Sequence, residues 1–154
     1  MKYKSAARTV IINDNNQVAL IDVRHGEYYK IPGGGIETGE SEETTAKREA
    51  LEEADCVVEL IQEIGRQEFK DSHPSFGETL HQSICFLAKI ITNQNKTNFD
   101  SWEQSNDMKL IWVTFDEAIK LFTDAKPQDF FAKEINKRDL SFVIKAKELL
   151  KNTC

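Results

Sequence analysis

Residues 33–56 read "GGGIETGESEETTAKREALEEADC": three glycines, a turn, and then a helix whose carboxylates accumulate toward its C-terminal end. Ser41 is placed to cap that helix, Glu42 and Glu43 suit its first turn, and Ala46, Ala50, Leu51 and Ala54 form one apolar stripe. Glu49, Glu52 and Glu53 fall within an arc of about 100°, with neighbours three or four residues apart roughly 5–6 Å from one another. They lie near the negative end of the helix dipole, where each uncompensated charge costs on the order of 0.3–1 kcal/mol before mutual repulsion is added. Arg48 can pair with Glu52, and Lys47 is better placed for Glu43, so the patch stays undercompensated.

A hard divalent cation resolves this conflict, because Mg²⁺ favours carboxylate, carbonyl and water oxygens and commonly bridges protein to phosphate. Taken alone, the glutamates also fit a solvated acidic face, and three glycines an ordinary flexible turn. The combination is more specific: the glycines let backbone approach a ligand closely, Gly39 permits a tight turn, and Pro32 fixes the entry.

Around this segment the pattern alternates between strands and helices. "RTVII" and "VALIDV" predict a hairpin across "NDNNQ", and "YYKIP" a short third strand. "VVELIQEIGRQEF" and "TLHQSICFLAKIIT" predict long strands joined through "KDSHPSFGE", and "MKLIWVT" a last one. "FDEAIKLFT" and "DLSFVIKAKELLK" predict amphipathic helices, the second burying Leu140, Val143, Ile144 and Ala146. The fold class expected is α/β, a mixed β-sheet between α-helices, with residues 1–154 as a single domain.

Composition narrows the function. No apolar run is long enough for a bilayer, and the N-terminus lacks the pattern of a signal peptide. Cys56, Cys85 and Cys154 make neither a metal knuckle nor a disulfide framework, which suits free thiols and a cytoplasmic protein. The formal charge of −6 argues against a general surface for duplex nucleic acid. Glu37 to Asp55 holds eight acids against Lys47 and Arg48, so all of that net charge sits in this segment.

The segment resembles the Nudix box, G-x5-E-x7-R-E-U-x-E-E-x-G-U with U aliphatic. Gly34, Glu40, Arg48, Glu49, Glu52 and Glu53 match six of the seven fixed positions without a gap. Asp55 stands where the family has glycine, and Ala50 and Cys56 are small for the aliphatic positions. Asp tolerates the left-handed backbone better than most residues, so the departure bears on helix termination rather than on chemistry.

The resemblance implies the Nudix fold and an Mg²⁺- or Mn²⁺-dependent hydrolase of a nucleoside diphosphate linked to another moiety: a nucleoside triphosphate, a nucleotide sugar or a dinucleotide. It implies Glu49, Glu52 and Glu53 as metal ligands, with a backbone carbonyl at Gly33 or Gly34, Arg48 orienting the glutamates, and Gly34 and Gly35 on the substrate side. Glu49 or Glu53 would act as general base. Asp107, or its rival Glu103, is the acid outside the box that would supply a base or a further ligand, and Arg24 resembles a phosphate-binding position, with a surface ion pair as the alternative. Tyr29 is expected to pack, and Phe76, Trp102, Phe130 and Phe131 to form core or a hydrophobic edge. A nucleotide-sensing module without catalysis is the competing function. The "VVELIQEIGRQEF" strand offers an edge for a homodimer.

Overall fold

The structure is a computed structural model that describes residues 1–93 and 107–151. Its strands are β1 (Lys2–Ile12), β2 (Gln17–Val23), β3 (Tyr28–Lys30), β4 (Gly33–Gly35), β5 (Cys56–His73), β6 (Gly77–Asn93) and β7 (Met108–Thr114). The helices among the described residues are α1 (Glu42–Ala54), α2 (Phe115–Asp124) and α3 (Phe130–Lys151). The strands form one mixed sheet in the order β3-β2-β1-β6-β5, with β4 paired to β1 and β7 to β2. Among the described residues, only β1 and β6 pair in parallel; the other ladders are antiparallel. β5 ends the strand path, as an edge strand would.

Alternation along the central strands explains why helices cover both faces. Val10, Val18, Leu20 and Leu87 join Phe122 of α2 and Phe142, Val143 and Ala146 of α3 in one cluster. Their sequence neighbours Ile11, Ala19 and Ala88 turn to the other face and pack with Ala50 and Ala54 of α1. The Phe122 and Phe142 side chains are each 1% exposed, and burial of this kind stabilises by about 1.5–3 kcal/mol per side chain.

On the α1 side the contact residues are small. Ala46, Ala50 and Ala54 are at most 2% exposed, so the helix backbone sits close to β1 and its glutamates come within reach of the glycine strand. The Ser41 hydroxyl accepts the Thr44 amide at 3.1 Å. At the other end Asp55 adopts φ 53°, ψ 35°, and its N–H donates to the Ala50 and Leu51 carbonyls. The helix therefore terminates at the family's glycine position with aspartate in the left-handed region.

Several expectations need correction. The glycines are not a free loop: Gly33, Gly34 and Gly35 pair with Arg8, Ala7 and Ala6 of β1. β5 and β6 extend through most of "KDSHPSFGE", leaving a tight turn before Gly77, whose φ of +75° suits glycine. Leu51 is 38% exposed, and Thr45 takes the buried place beside Ala46. Ile144 is likewise 38% exposed. α3 begins nine residues before Asp139, because the Asp129 carboxylate accepts the Ala132 amide at 2.7 Å and starts the helix there. Trp102, Glu103 and Cys154 lie outside the described residues.

Candidate active site

The site begins with a turn held by a single carboxylate. Gly39, at φ +85°, reverses the chain, and the Glu40 carboxylate accepts the Glu37 amide at 3.0 Å and the Thr45 hydroxyl at 2.8 Å. It also accepts Arg48 Nε at 2.8 Å and Nη2 at 3.0 Å. This places the Glu40 carboxyl at about 2, held down first by the Arg48 guanidinium and then by the Glu37 amide.

Arg48 is the hub of the acidic half. Besides Glu40, its Nη1 donates to Glu49 at 2.9 Å and to Glu52 at 3.1 Å, while Nη2 donates to the Gly35 carbonyl at 3.1 Å. These bonds raise its pKa above the ordinary arginine value, Glu40 contributing most. Glu53 points elsewhere: its Oε1 accepts the Gly33 amide at 2.8 Å, and its Oε2 lies 3.7 Å from Lys30 Nζ.

The box glutamates thus gather between α1 and β4, held by protein donors. Among the described residues, no group of three or more His, Cys, Asp or Glu side chains converges as a finished metal cage. Two observations nevertheless fit a hard cation. Burial, followed by the nearby Glu53 charge, pushes the Glu49 carboxyl above its ordinary value, although Arg48 pulls the other way. Gly34 also leaves a cradle that Glu49 fills: a Cβ at Gly34 would stand 2.6 Å from the Glu49 carboxyl carbon and 2.9 Å from Oε2.

The structure does not bring every expected residue to this place. Arg24 donates from Nε and Nη2 to the Glu27 carboxylate at 2.9 and 2.8 Å, the ion pair that was the alternative to a phosphate contact. Asp107 lies 3.7 Å from His25 and lines a cavity with Asp22, His25, Met108 and Lys109 that includes none of the box glutamates. Tyr29 packs, 7% exposed, edge-on against Phe122. Phe130 and Phe131 are 52% and 42% exposed and stand edge-on to Phe69, whose ring stacks on His81.

A second, basic half went unread in the sequence. Lys4, Arg8, Lys30 and Arg138 line a cavity of about 290 Å³ that also touches Gly33 and Gly35. Lys30, in "YYKIP" just before the glycines, carried a local signal in its position. Arg8 and Arg138 carried none, because β1 and α3 bring them together across 130 residues.

A family model, the NUDIX domain, matches residues 2–134. The chain belongs to the Nudix family. Nudix hydrolase 4 of Arabidopsis thaliana is 32% identical over 102 residues, covering 66% of this chain and 45% of that protein. An RNA pyrophosphohydrolase of Ruthia magnifica is 28% identical over 134 residues, covering 80% and 75%. The chain spans about half the length of most of its curated Nudix relatives.

A solved NUDIX hydrolase from Nitrosomonas europaea superposes with a TM-score of 0.62 at 19% identity, covering 91% of this chain and 89% of that one. A UDP-X diphosphatase superposes at 0.63 with 15% identity, covering 96% and 64%. These likenesses establish the Nudix fold. Among the described residues, no helix is long and apolar enough to cross a membrane.

Proposed function

We propose that this Nudix protein is an Mg²⁺- or Mn²⁺-dependent hydrolase that cuts the diphosphate linkage of a nucleoside diphosphate joined to another moiety. Glu49, Glu52 and Glu53, with a carbonyl of Gly33 or Gly34, would hold the cation. Bound there, a divalent ion supplies charge neutralisation at the phosphate oxygens and lowers the pKa of an attacking water. The observation that carries the reading is how the box is held: one guanidinium ties Glu40, Glu49 and Glu52 to the Gly35 carbonyl, while Glu53 is fixed on the Gly33 amide.

The chain's own residues divide the work. Arg48 and Glu40 orient the turn against the helix, so that the carboxylates are positioned before substrate arrives. Gly34 and Gly35 present backbone without side chains on the substrate side. Glu49 or Glu53 takes the proton of the attacking water.

The test is hydrolysis of a panel of nucleoside triphosphates, nucleotide sugars and dinucleoside polyphosphates, with and without Mg²⁺ or Mn²⁺, following every released phosphorus species. Metal-dependent cleavage of one class, lost in Glu53→Gln, is expected. Saturable binding of a nucleotide with no turnover would replace the hydrolase by a sensing module.

A further inference from the structure

The basic cavity beside β4 has more charge than its surroundings match. Lys4, Arg8, Lys30 and Arg138 line it, and no carboxylate does. Carboxylates next to its lining residues are Asp139, which accepts Arg138 Nε at 2.8 Å and the Ile31 amide at 3.1 Å, Glu53, 3.7 Å from Lys30, and Asp71, 3.9 Å from His81. Four cations therefore line a cavity next to three carboxylates, in a protein whose formal charge is −6.

Arg138 marks where the deficit lies. Its side chain is 6% exposed, and its Nη2 is buried with no hydrogen-bond partner. A buried guanidinium donor left unpaired costs more than an ordinary unmade hydrogen bond. Arg8 stands beside it, its Nε donating to the Ser83 hydroxyl at 3.2 Å. Burial and then the Arg138 charge push the Arg8 guanidinium down, and burial followed by the Lys4 charge pushes His81 down at the rim. A planar guanidinium fork with a free donor is suited to a phosphate oxygen pair.

We propose that this cavity is an anion pocket that takes a phosphate lying beyond the anhydride that is cut, so the substrate class is a nucleotide with three or more consecutive phosphates. This rests on the hydrolase reading above for the direction of the substrate. Gly33 and Gly35 touch the pocket, while the Gly33 amide holds Glu53 and the Gly35 carbonyl holds Arg48. A phosphate chain crossing the glycine strand would run from the carboxylates into the four cations. A neutral sugar in the same place would leave the Arg138 donor and the excess charge unmatched.

The pocket can be tested apart from catalysis by titrating inorganic tripolyphosphate into protein freed of metal with a chelator. The wild type is expected to bind in a saturable manner. Lys4→Glu, at an exposed position, should weaken binding at least 10-fold, and Arg138→Gln should abolish it in protein that still melts cooperatively. Lys126→Glu makes the same change in net charge away from the cavity and should bind as the wild type does. Absence of saturable binding, or equal weakening by Lys4→Glu and Lys126→Glu, would overturn the pocket.

A second arm compares a nucleoside triphosphate with a nucleoside diphosphate sugar of the same base, with Mg²⁺ present. The triphosphate should be preferred by the wild type, and the preference should shrink in Lys4→Glu; preference for the sugar derivative would overturn the substrate class. Tripolyphosphate binding that obeys the variants, with no hydrolysis of anything, would support the pocket and remove the hydrolase reading.

Discussion

Replacing each of the three adjacent glycines by alanine should give three different results. At Gly34 the three atoms nearest a new Cβ all belong to the end of the Glu49 side chain, whose carboxyl carbon would stand 2.6 Å away. Restoring ordinary contact at 3.4 Å requires that carbon to retreat by about 0.8 Å, which rotation of a flexible side chain provides. Misplacement of a catalytic group by about 1 Å can cost on the order of 10²-fold in rate, equivalent to about 2.7 kcal/mol of transition-state stabilisation. At Gly33 the Cβ would instead stand 2.8 Å from the Ala7 carbonyl oxygen and from Arg8 Cα, which are backbone and cannot swing aside. Overpacking of that kind destabilises by typically 1–3 kcal/mol. At Gly35 nothing lies within 4 Å of the added carbon, and its φ is not in the left-handed region. Alanine there should leave stability unchanged or raise it by about 0.4–1 kcal/mol. Thermal melts and steady-state hydrolysis with Mg²⁺ read the two effects separately. Gly34→Ala should lose about 10²-fold in kcat/KM with little change in Tm, and Gly33→Ala should lose Tm. Wild-type turnover by Gly34→Ala would refute the assignment of Glu49 to the reaction.

Glu53→Gln keeps an acceptor for the Gly33 amide but removes the charge, so its melt should match the wild type while hydrolysis falls by about 10²–10³-fold. Glu49→Gln should raise Tm at neutral pH in chelator: the folded carboxyl sits above its ordinary value, so its charged form disfavours folding once pH exceeds the unfolded value, and the variant removes that penalty. Added Mg²⁺ should then stabilise the wild type more than Glu49→Gln, and equal stabilisation would count against Glu49 as a ligand. Glu40 has the opposite sign: its carboxyl is held at about 2, so the stability it confers is complete above the unfolded value near 4.5 and is lost as pH falls toward 2. Urea midpoints measured from pH 6 to 2 should fall less steeply in Glu40→Gln than in the wild type.

What the sequence displayed and what it hid follow from the range of the interactions involved. Local patterns carried the mixed sheet, the two-sided helical cover and the acidic helix, because alternation and caps act within a few residues. The start of α3 was missed because Asn136, Arg138 and Asp139 are buried on its inner face and break the apolar period. Their partners are distant: Asn136 donates to the Phe122 carbonyl at 2.9 Å, and Asp139 accepts the Ile31 amide. A polar residue that satisfies a loop 108 residues away looks, in a window of ten, like a solvent-facing one. The acidic half of the site was legible for the same reason that the basic half was not. Glu40 to Glu53 lie on one turn and one helix, whereas Lys4, Arg8, Lys30 and Arg138 come from two strands and a helix that meet only in the fold.

Half-buried Arg48 and buried Arg138 show how the halves differ in kind. Arg48 makes five hydrogen bonds that engage all three of its nitrogens, and every partner belongs to the turn or to α1 and β4. Such a guanidinium is saturated: it can set the spacing of carboxylates, but it cannot accept a phosphate without giving up bonds that hold the turn. Arg138 donates from Nε to Asp139, and its buried Nη2 has no hydrogen-bond partner among the described residues. Binding an anion there gains a bond without breaking one, so an equal interaction contributes more to affinity at Arg138 than at Arg48. Glu53 stands at the boundary, tied to the Gly33 amide on one side and near Lys30 on the other. A cation drawn to the carboxylates would loosen the Glu53–Lys30 attraction and leave Lys30 free to face the pocket. Metal and phosphate should accordingly favour each other's binding, and tripolyphosphate should bind more tightly to the metal-loaded protein than charge on the free metal alone would explain.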